Sequence, residues 1–106
     1  MNFGSILKQT MKESLLISGA AVADVKFYLF GSFLKSNKPN DIDILILYDN
    51  SQNNNLSIVL DLKKVLKEKA ESIFSIPLDI TLLSYKENDE VNFIETEKAI
   101  LFYSSY

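Results

Sequence analysis

Three aspartates lie at or near the start of segments that are otherwise apolar. Asp41 and Asp43 begin the segment DIDILILY, and Asp79 is the second residue of LDITLLS. Residues two apart in a strand project from the same face, so the first two carboxylates should lie side by side. Close carboxylates raise each other's pKa, and burying them without a partner is unfavourable. A Mg²⁺ ion relieves both effects through the oxygen ligands it prefers, so we expect a magnesium site here.

The same aspartates also permit simpler interpretations. Asp41 follows Pro39-Asn40 and can act as a turn residue, while Asp79 can be a charge on an edge strand. Asp43 is harder to explain in this way, because it stands inside an apolar strand. If the strands that carry Asp43 and Asp79 are neighbours, the three carboxylates converge.

A glycine–serine pair closes the apolar segment VKFYLF. Gly31 lets a ligand approach the main chain closely, and a turn at Ser32 can offer N–H groups and a hydroxyl to phosphate oxygens. An ordinary turn is the alternative interpretation. The pair therefore indicates a phosphate site only in combination with the aspartates.

The amino-acid composition excludes several kinds of catalytic and binding site. The 106 residues include no cysteine and no histidine, which excludes disulfides, cysteine nucleophiles and histidine general bases and disfavours structural zinc. The net charge of −3 does not suggest a general nucleic-acid binder, but it does not exclude a nucleotide ligand.

The length fits one domain, residues 1–106. No apolar run reaches the length of a membrane span, and the N-terminus lacks a secretory layout, so we expect a cytoplasmic protein.

Apolar periodicity predicts three helices and three strands. The helices are expected at about Ser5–Val22, Leu56–Phe74 and Val91–Leu101, and the strands at Val25–Phe30, Ile42–Tyr48 and Leu78–Ser84. Gly19 favours an earlier end of the first helix, near Ser18. Lys86–Glu90 is predicted as a charged turn. Lysines and glutamates on the outer face of the second helix, Lys67 and Glu71 among them, are interpreted as ordinary solvated ion pairs.

The order of these elements predicts the fold class. The second predicted helix can act as a crossover between the second and third strands. The expected class is therefore α/β (α+β), with a small mixed sheet of three or more strands flanked by helices.

In combination, these motifs resemble the nucleotidyltransferase superfamily related to DNA polymerase β. The signature is a hydrophobic strand, Gly31-Ser32, a loop of eight residues, Asp41-Ile42-Asp43 on the next strand and a third acid, Asp79, on a later one. The resemblance spans about residues 25–84 and is strongest at LFGSF and NDIDILI. The small size and the closing segment FIETEKAILFY are most similar to the minimal nucleotidyltransferases, many of which are antitoxins paired with HEPN-type toxins.

The resemblance implies a polymerase β-like nucleotidyltransferase fold and a role for each site residue. Gly31 and Ser32 would bind the β- and γ-phosphates of ATP or another nucleoside triphosphate, and Asp41 and Asp43 would bind Mg²⁺. Asp79 would bind a second metal ion and activate the attacking hydroxyl. The implied reaction transfers AMP to a protein hydroxyl, with a HEPN-type toxin as partner; homo- or hetero-oligomers remain open.

The sequence departs from the family in the loop 33–40. That loop is slightly short and carries Leu34-Lys35-Ser36 where Ala-Arg-Gly often follows Gly-Ser. Lys35 or Lys38 can take over the positive charge near the triphosphate, and exposed loop lysines are the alternative interpretation.

Two other functions compete with protein adenylylation. A non-catalytic module can neutralise a toxin by binding alone, with Tyr103 and Tyr106 as part of the surface. Transfer to a small molecule or an RNA end is the third hypothesis, which the acidic balance and the small size disfavour.

Overall fold

The structure is a computed structural model that describes residues 2–20, 24–31, 41–51 and 55–105. The helices are Phe3–Ser18 (α1), Asn55–Phe74 (α2), Tyr85–Val91 (α3) and Phe93–Thr96 (α4). The strands are Val25–Phe30 (β1), Ile42–Tyr48 (β2), Leu78–Ser84 (β3) and Ile100–Ser104 (β4). The first three strands have the predicted bounds.

The four strands form one mixed sheet in the order β3-β2-β1-β4. β1 is antiparallel to both of its neighbours, while β2 and β3 are parallel. The parallel pair requires a crossover, which α2 provides. The expected class, an α+β fold with a small mixed sheet flanked by helices, is confirmed.

The hydrophobic core lies on one face of the sheet, against α1 and α2. β2 contributes Ile42, Ile44 and Ile46 to it, and all three side chains are fully buried. The helices contribute apolar stripes with three- or four-residue spacing, namely Leu7, Met11 and Leu15 of α1 and Val59, Leu62, Leu66 and Ala70 of α2. On the opposite face, β2 carries Asp43 near its start, followed by the buried side chains of Leu45 and Leu47.

The first helix ends where Gly19 predicted that it would. Gly19 has a φ of 81° and closes the helix with a left-handed C-cap. Only glycine adopts this conformation without a steric penalty, so the helix stops at Ser18. At the other end, the side chain of Asn2 caps the helix by accepting a hydrogen bond of 2.7 Å from Gly4 N–H.

The C-terminal region differs from the prediction of a charged turn at Lys86–Glu90 and one helix at Val91–Leu101. The turn is helical because Ser84 and Glu87 form a capping box, in which each side chain bonds the other's backbone N–H, at 3.1 and 2.9 Å. Asn92, with a φ of 55°, then ends α3. The remaining apolar residues form β4, which pairs with β1.

No helix within the described ranges is both long and apolar enough to cross a membrane.

Candidate functional site

The parallel pairing of β2 and β3 brings two of the predicted aspartates together. Asp43 and Asp79 are Cα partners in the register, on strands about 4.8 Å apart. Partners in this register project from the same face, which is the face opposite the core. Asp41 directly precedes β2, two residues before Asp43. The sheet thus collects three aspartates at one end of two neighbouring strands.

The carboxyl group of Asp43 is the electrostatic centre of this cluster. Its pKa is raised by burial first and then by the charges of Asp41, Asp79 and Glu97. Asp43 is partly buried, whereas Asp79 is exposed. A raised pKa means that the ionised form of Asp43 is disfavoured here, and a bound cation would reverse that preference.

The donor set fits a hard divalent cation, because it consists of carboxylate oxygens on one sheet face. In the side-chain positions of the structure, however, no group of three acidic side chains within the described ranges is arranged to hold a metal ion. The backbone register already places Asp43 beside Asp79. To share an ion, these short side chains would need to rotate. Asp41, Asp43 and Asp79 are therefore the residues that would hold it.

The close approach of Asp43 requires a glycine at position 31. Gly31 lies directly after β1, with a φ of 79°. A Cβ atom at this position would overlap Oδ2 of Asp43 and lie 3.0 Å from its Cγ. The glycine was predicted for close approach of a phosphate; the structure gives it a further role, since only a residue without a side chain lets the chain turn so close to the carboxylate.

The other predicted phosphate-binding residues, Ser32, Lys35 and Lys38, lie outside the described residues. Their roles remain predictions.

An aromatic pair borders the acidic cluster. Phe30 is the Cα partner of Asp43 on β1, and its ring meets that of Phe93 edge to face at a centroid distance of 4.9 Å. This contact places α4 beside the cluster. Burial is the largest cause of the raised pKa of Asp43, and Phe30 is the neighbouring side chain in the register.

Glu97 was not predicted as part of the site. It is the C-cap residue of α4, and its charge acts on Asp43. The sequence places it in an expected long helix, so nothing in the pattern indicated its position. This electrostatic interaction arises from the break between α3 and α4, which only the three-dimensional structure reveals.

A separate hollow of about 310 Å³ lies at the other end of β2. Its lining consists of Asp49, Asn50, Ser51, Tyr85 and Lys86. None of the three clustered aspartates borders it, so the acidic cluster and this hollow are distinct places in the fold.

The sequence was compared with family models, curated proteins and solved structures. The family model described as Polymerase beta, Nucleotidyltransferase matches residues 22–105. No curated protein and no solved structure gives a significant match. The matched region contains all four strands and the three aspartates of the cluster. Nucleotidyltransferase domains of this kind generally use a nucleoside triphosphate and Mg²⁺. Since the match covers most of the chain and includes both the sheet and its acidic cluster, the chain belongs to the polymerase beta nucleotidyltransferase family.

Proposed function

We propose that the chain is a Mg²⁺-dependent nucleotidyltransferase that transfers AMP from ATP to a hydroxyl group of a protein. The observation that carries the proposal is the register of Asp43 with Asp79, together with the action of Asp41 on the same carboxyl group. A carboxyl group whose charge is disfavoured by burial and by two neighbouring carboxylates is suited to a divalent cation. The family supports the reaction class, and the protein acceptor rests on the resemblance to minimal nucleotidyltransferases.

In the proposed reaction, the acceptor oxygen forms a bond to the α-phosphorus of ATP. The bond from this phosphorus to the pyrophosphate oxygen breaks, and pyrophosphate leaves with the electron pair. The hydroxyl proton passes to Asp79, which is more exposed than Asp43 and so more accessible to an acceptor. Asp41 and Asp43 would hold Mg²⁺, and Asp79 would help to hold a second ion. When bound, the metal neutralises charge on the phosphate oxygens and aligns the reactants.

The turn after β1 is the proposed site for the β- and γ-phosphates. The left-handed conformation of Gly31 turns the chain beside Asp43, which supports a short distance between phosphates and metal. Ser32 is proposed to donate its hydroxyl to the phosphates. Lys35 or Lys38 is proposed to supply the positive charge.

The proposed partner is a HEPN-type toxin, for which this chain would act as antitoxin. The support is the similarity of the closing segment FIETEKAILFY to minimal nucleotidyltransferases. In the structure this segment forms α4 and β4 and borders the acidic cluster through Phe93 and Glu97. A protein acceptor that approached Asp79 would therefore also meet this segment.

Labelled nucleotides test the proposal directly. The chain is incubated with each of the four α-labelled nucleoside triphosphates, Mg²⁺ and HEPN-type proteins, and protein-bound label is counted. Asp43→Asn should lower the transfer rate by about 10²–10³-fold, since a lost metal ligand removes several kcal/mol of transition-state stabilisation. Asp61→Asn makes the same chemical change on the exposed surface of α2 and should leave the rate unchanged. Label that persists in Asp43→Asn, or no label with the unaltered chain, would contradict the proposal.

A non-catalytic binding module is the second candidate. It is favoured by the finding that, within the described ranges, no three acidic side chains are arranged to hold a metal ion. Under this function, Asp43→Asn would protect cells from the toxin as well as the unaltered chain does. Under the enzymatic function, Asp43→Asn would still bind the toxin but would no longer protect against it.

A further inference from the structure

β3 is an edge strand, yet both backbone groups of its first residue, Leu78, have hydrogen-bond partners. The N–H of Leu78 donates to Oε2 of Glu71 at 2.8 Å, and its carbonyl accepts from Nζ of Lys67 at 2.7 Å. The two side chains also bond each other at 2.9 Å. Lys67, Glu71 and the backbone of Leu78 thus form a closed ring, which we call the α2 bracket.

The α2 bracket replaces the neighbour that β3 lacks at its outer edge. Successive residues of a strand direct their backbone groups to opposite edges, and Pro77 uses its carbonyl for β2, where it accepts from Ile42 N–H at 3.0 Å. The groups of Leu78 therefore face outward, where solvent would otherwise meet them. The side chains of α2 take the place of a fifth strand at this one residue.

These contacts go beyond those of an ordinary surface ion pair, in which the two side chains bond only each other. Leu78 N–H is the first cause that lowers the pKa of Glu71, and Lys67 is the second. The carboxylate is thus bonded to the strand as well as to its helical neighbour. The expected ion pair of Lys67 and Glu71 is confirmed, and the structure adds the bonds of both side chains to the backbone of Leu78.

The residue that the α2 bracket holds, Leu78, directly precedes Asp79. The carbonyl of Leu78 and the N–H of Asp79 belong to one planar peptide unit, so a bond to the carbonyl restrains that whole unit. The side chain of Leu78 is 2% exposed and anchored in the core. Asp79 projects to the opposite face and is exposed. The placement of its Cα atom relative to Asp43 therefore depends on how firmly Leu78 is held.

We propose that Lys67 and Glu71 are positioning residues that hold Asp79 in register with Asp43 for divalent-cation binding. The inference rests on the proposed function, in which Asp79 is a metal ligand. Neither side chain of the α2 bracket touches the metal or the substrate; both act through the backbone of Leu78.

Metal binding tests the inference without an acceptor or a turnover. The dissociation constant of Mn²⁺ is measured by electron paramagnetic resonance on the full chain. The double variant Lys67→Met/Glu71→Gln keeps the net charge and should weaken Mn²⁺ binding by about 10-fold, as is typical when residues that orient a metal ligand are lost. Asp79→Asn should weaken it at least as much.

The matched control lies on the same helix. Lys64→Met/Glu68→Gln makes the same two changes at the same spacing, at exposed positions of α2. It should leave Mn²⁺ affinity within twofold of the unaltered chain. Circular dichroism at the temperature of the binding assay establishes that every variant is folded.

The outcomes separate this inference from the proposed function. If Asp43→Asn and Asp79→Asn weaken Mn²⁺ binding and the bracket variant does not, Lys67 and Glu71 merely stabilise the strand, and the inference is wrong. If neither aspartate variant changes the affinity, or if the unaltered chain binds no Mn²⁺, the metal site itself is wrong, and both proposals fall.

Discussion

The two faces of β2 place adjacent residues in opposite environments. Ile44 is fully buried against the helices, while Asp43, its neighbour in sequence, belongs to the acidic cluster. One face is apolar throughout and holds the sheet to α1 and α2. The other face buries Leu45 and Leu47 but begins with Asp43, whose charge is disfavoured by burial and by neighbouring carboxylates. The contrast shows that strand alternation lets a single short segment present a carboxylate on one face while the residues on either side of it in sequence are buried in the core.

Substitution on the core face should have the largest effect on stability. Ile44→Ala removes a fully buried side chain and should lower the free energy of unfolding by about 2–5 kcal/mol. Asp43→Asn, one residue away, should cost little or even stabilise the fold, because it removes a charge that the site disfavours. Urea denaturation of both variants in metal-free buffer measures the difference. Equal losses in the free energy of unfolding from the two variants would show that the two faces do not differ in their contribution to stability.

Substitutions at two separate glycines, Gly31 and Gly19, test how closely the chain approaches Asp43 on the acidic face of β2. Gly31→Ala should destabilise the fold by about 1–2 kcal/mol through its left-handed conformation, and further by collision with Asp43. Gly19→Ala is the matched control, because its φ is also positive but a Cβ there meets nothing within 4 Å. Thermal unfolding gives the difference in stability between the two variants, and Mn²⁺ titration should show weakened binding only for Gly31→Ala. Equal effects at both positions would show that Asp43 imposes no restriction on Gly31.

The smallest predicted effect is a pH dependence. The folded-state pKa of Asp43 lies above its ordinary value of 3.8, so between these two pKa values the folded chain binds more protons than the unfolded chain. The contribution of Asp43 to stability therefore falls as pH rises through this window, and it is recovered on acidification. Glu71 has a lowered pKa and acts in the opposite direction, with stability lost as pH falls.

The difference between the unaltered chain and Asp43→Asn isolates this contribution. Both are unfolded with urea at a series of pH values in metal-free buffer. The advantage of Asp43→Asn should grow as pH rises through the window and then level off. A constant difference between the two proteins would show that Asp43 titrates normally, and that the two faces of β2 differ less in electrostatics than in packing.

The local sequence pattern was sufficient to predict much of the fold. The bounds of β1, β2 and β3 follow from short apolar segments that end at glycine, at polar loops or after proline, and these signals lie within the segments themselves. Apolar periodicity also predicted α1 and α2, because it too is a local property of each segment. β4 was missed because its apolar residues follow FIETEKA, whose spacing also fits a helix; the open edge of β1 decides in favour of a strand.

For the site, the sequence by itself determined which residues carry the charge and that Asp43 stands inside an apolar strand. Tertiary structure alone decided which carboxylates meet, since the crossover through α2 sets the register of Asp43 with Asp79, residues that lie far apart along the chain. It also decided the contact of Gly31 with Asp43 and the approach of Glu97. Residue type and alternation are properties of a segment, whereas proximity between segments depends on how the whole chain packs.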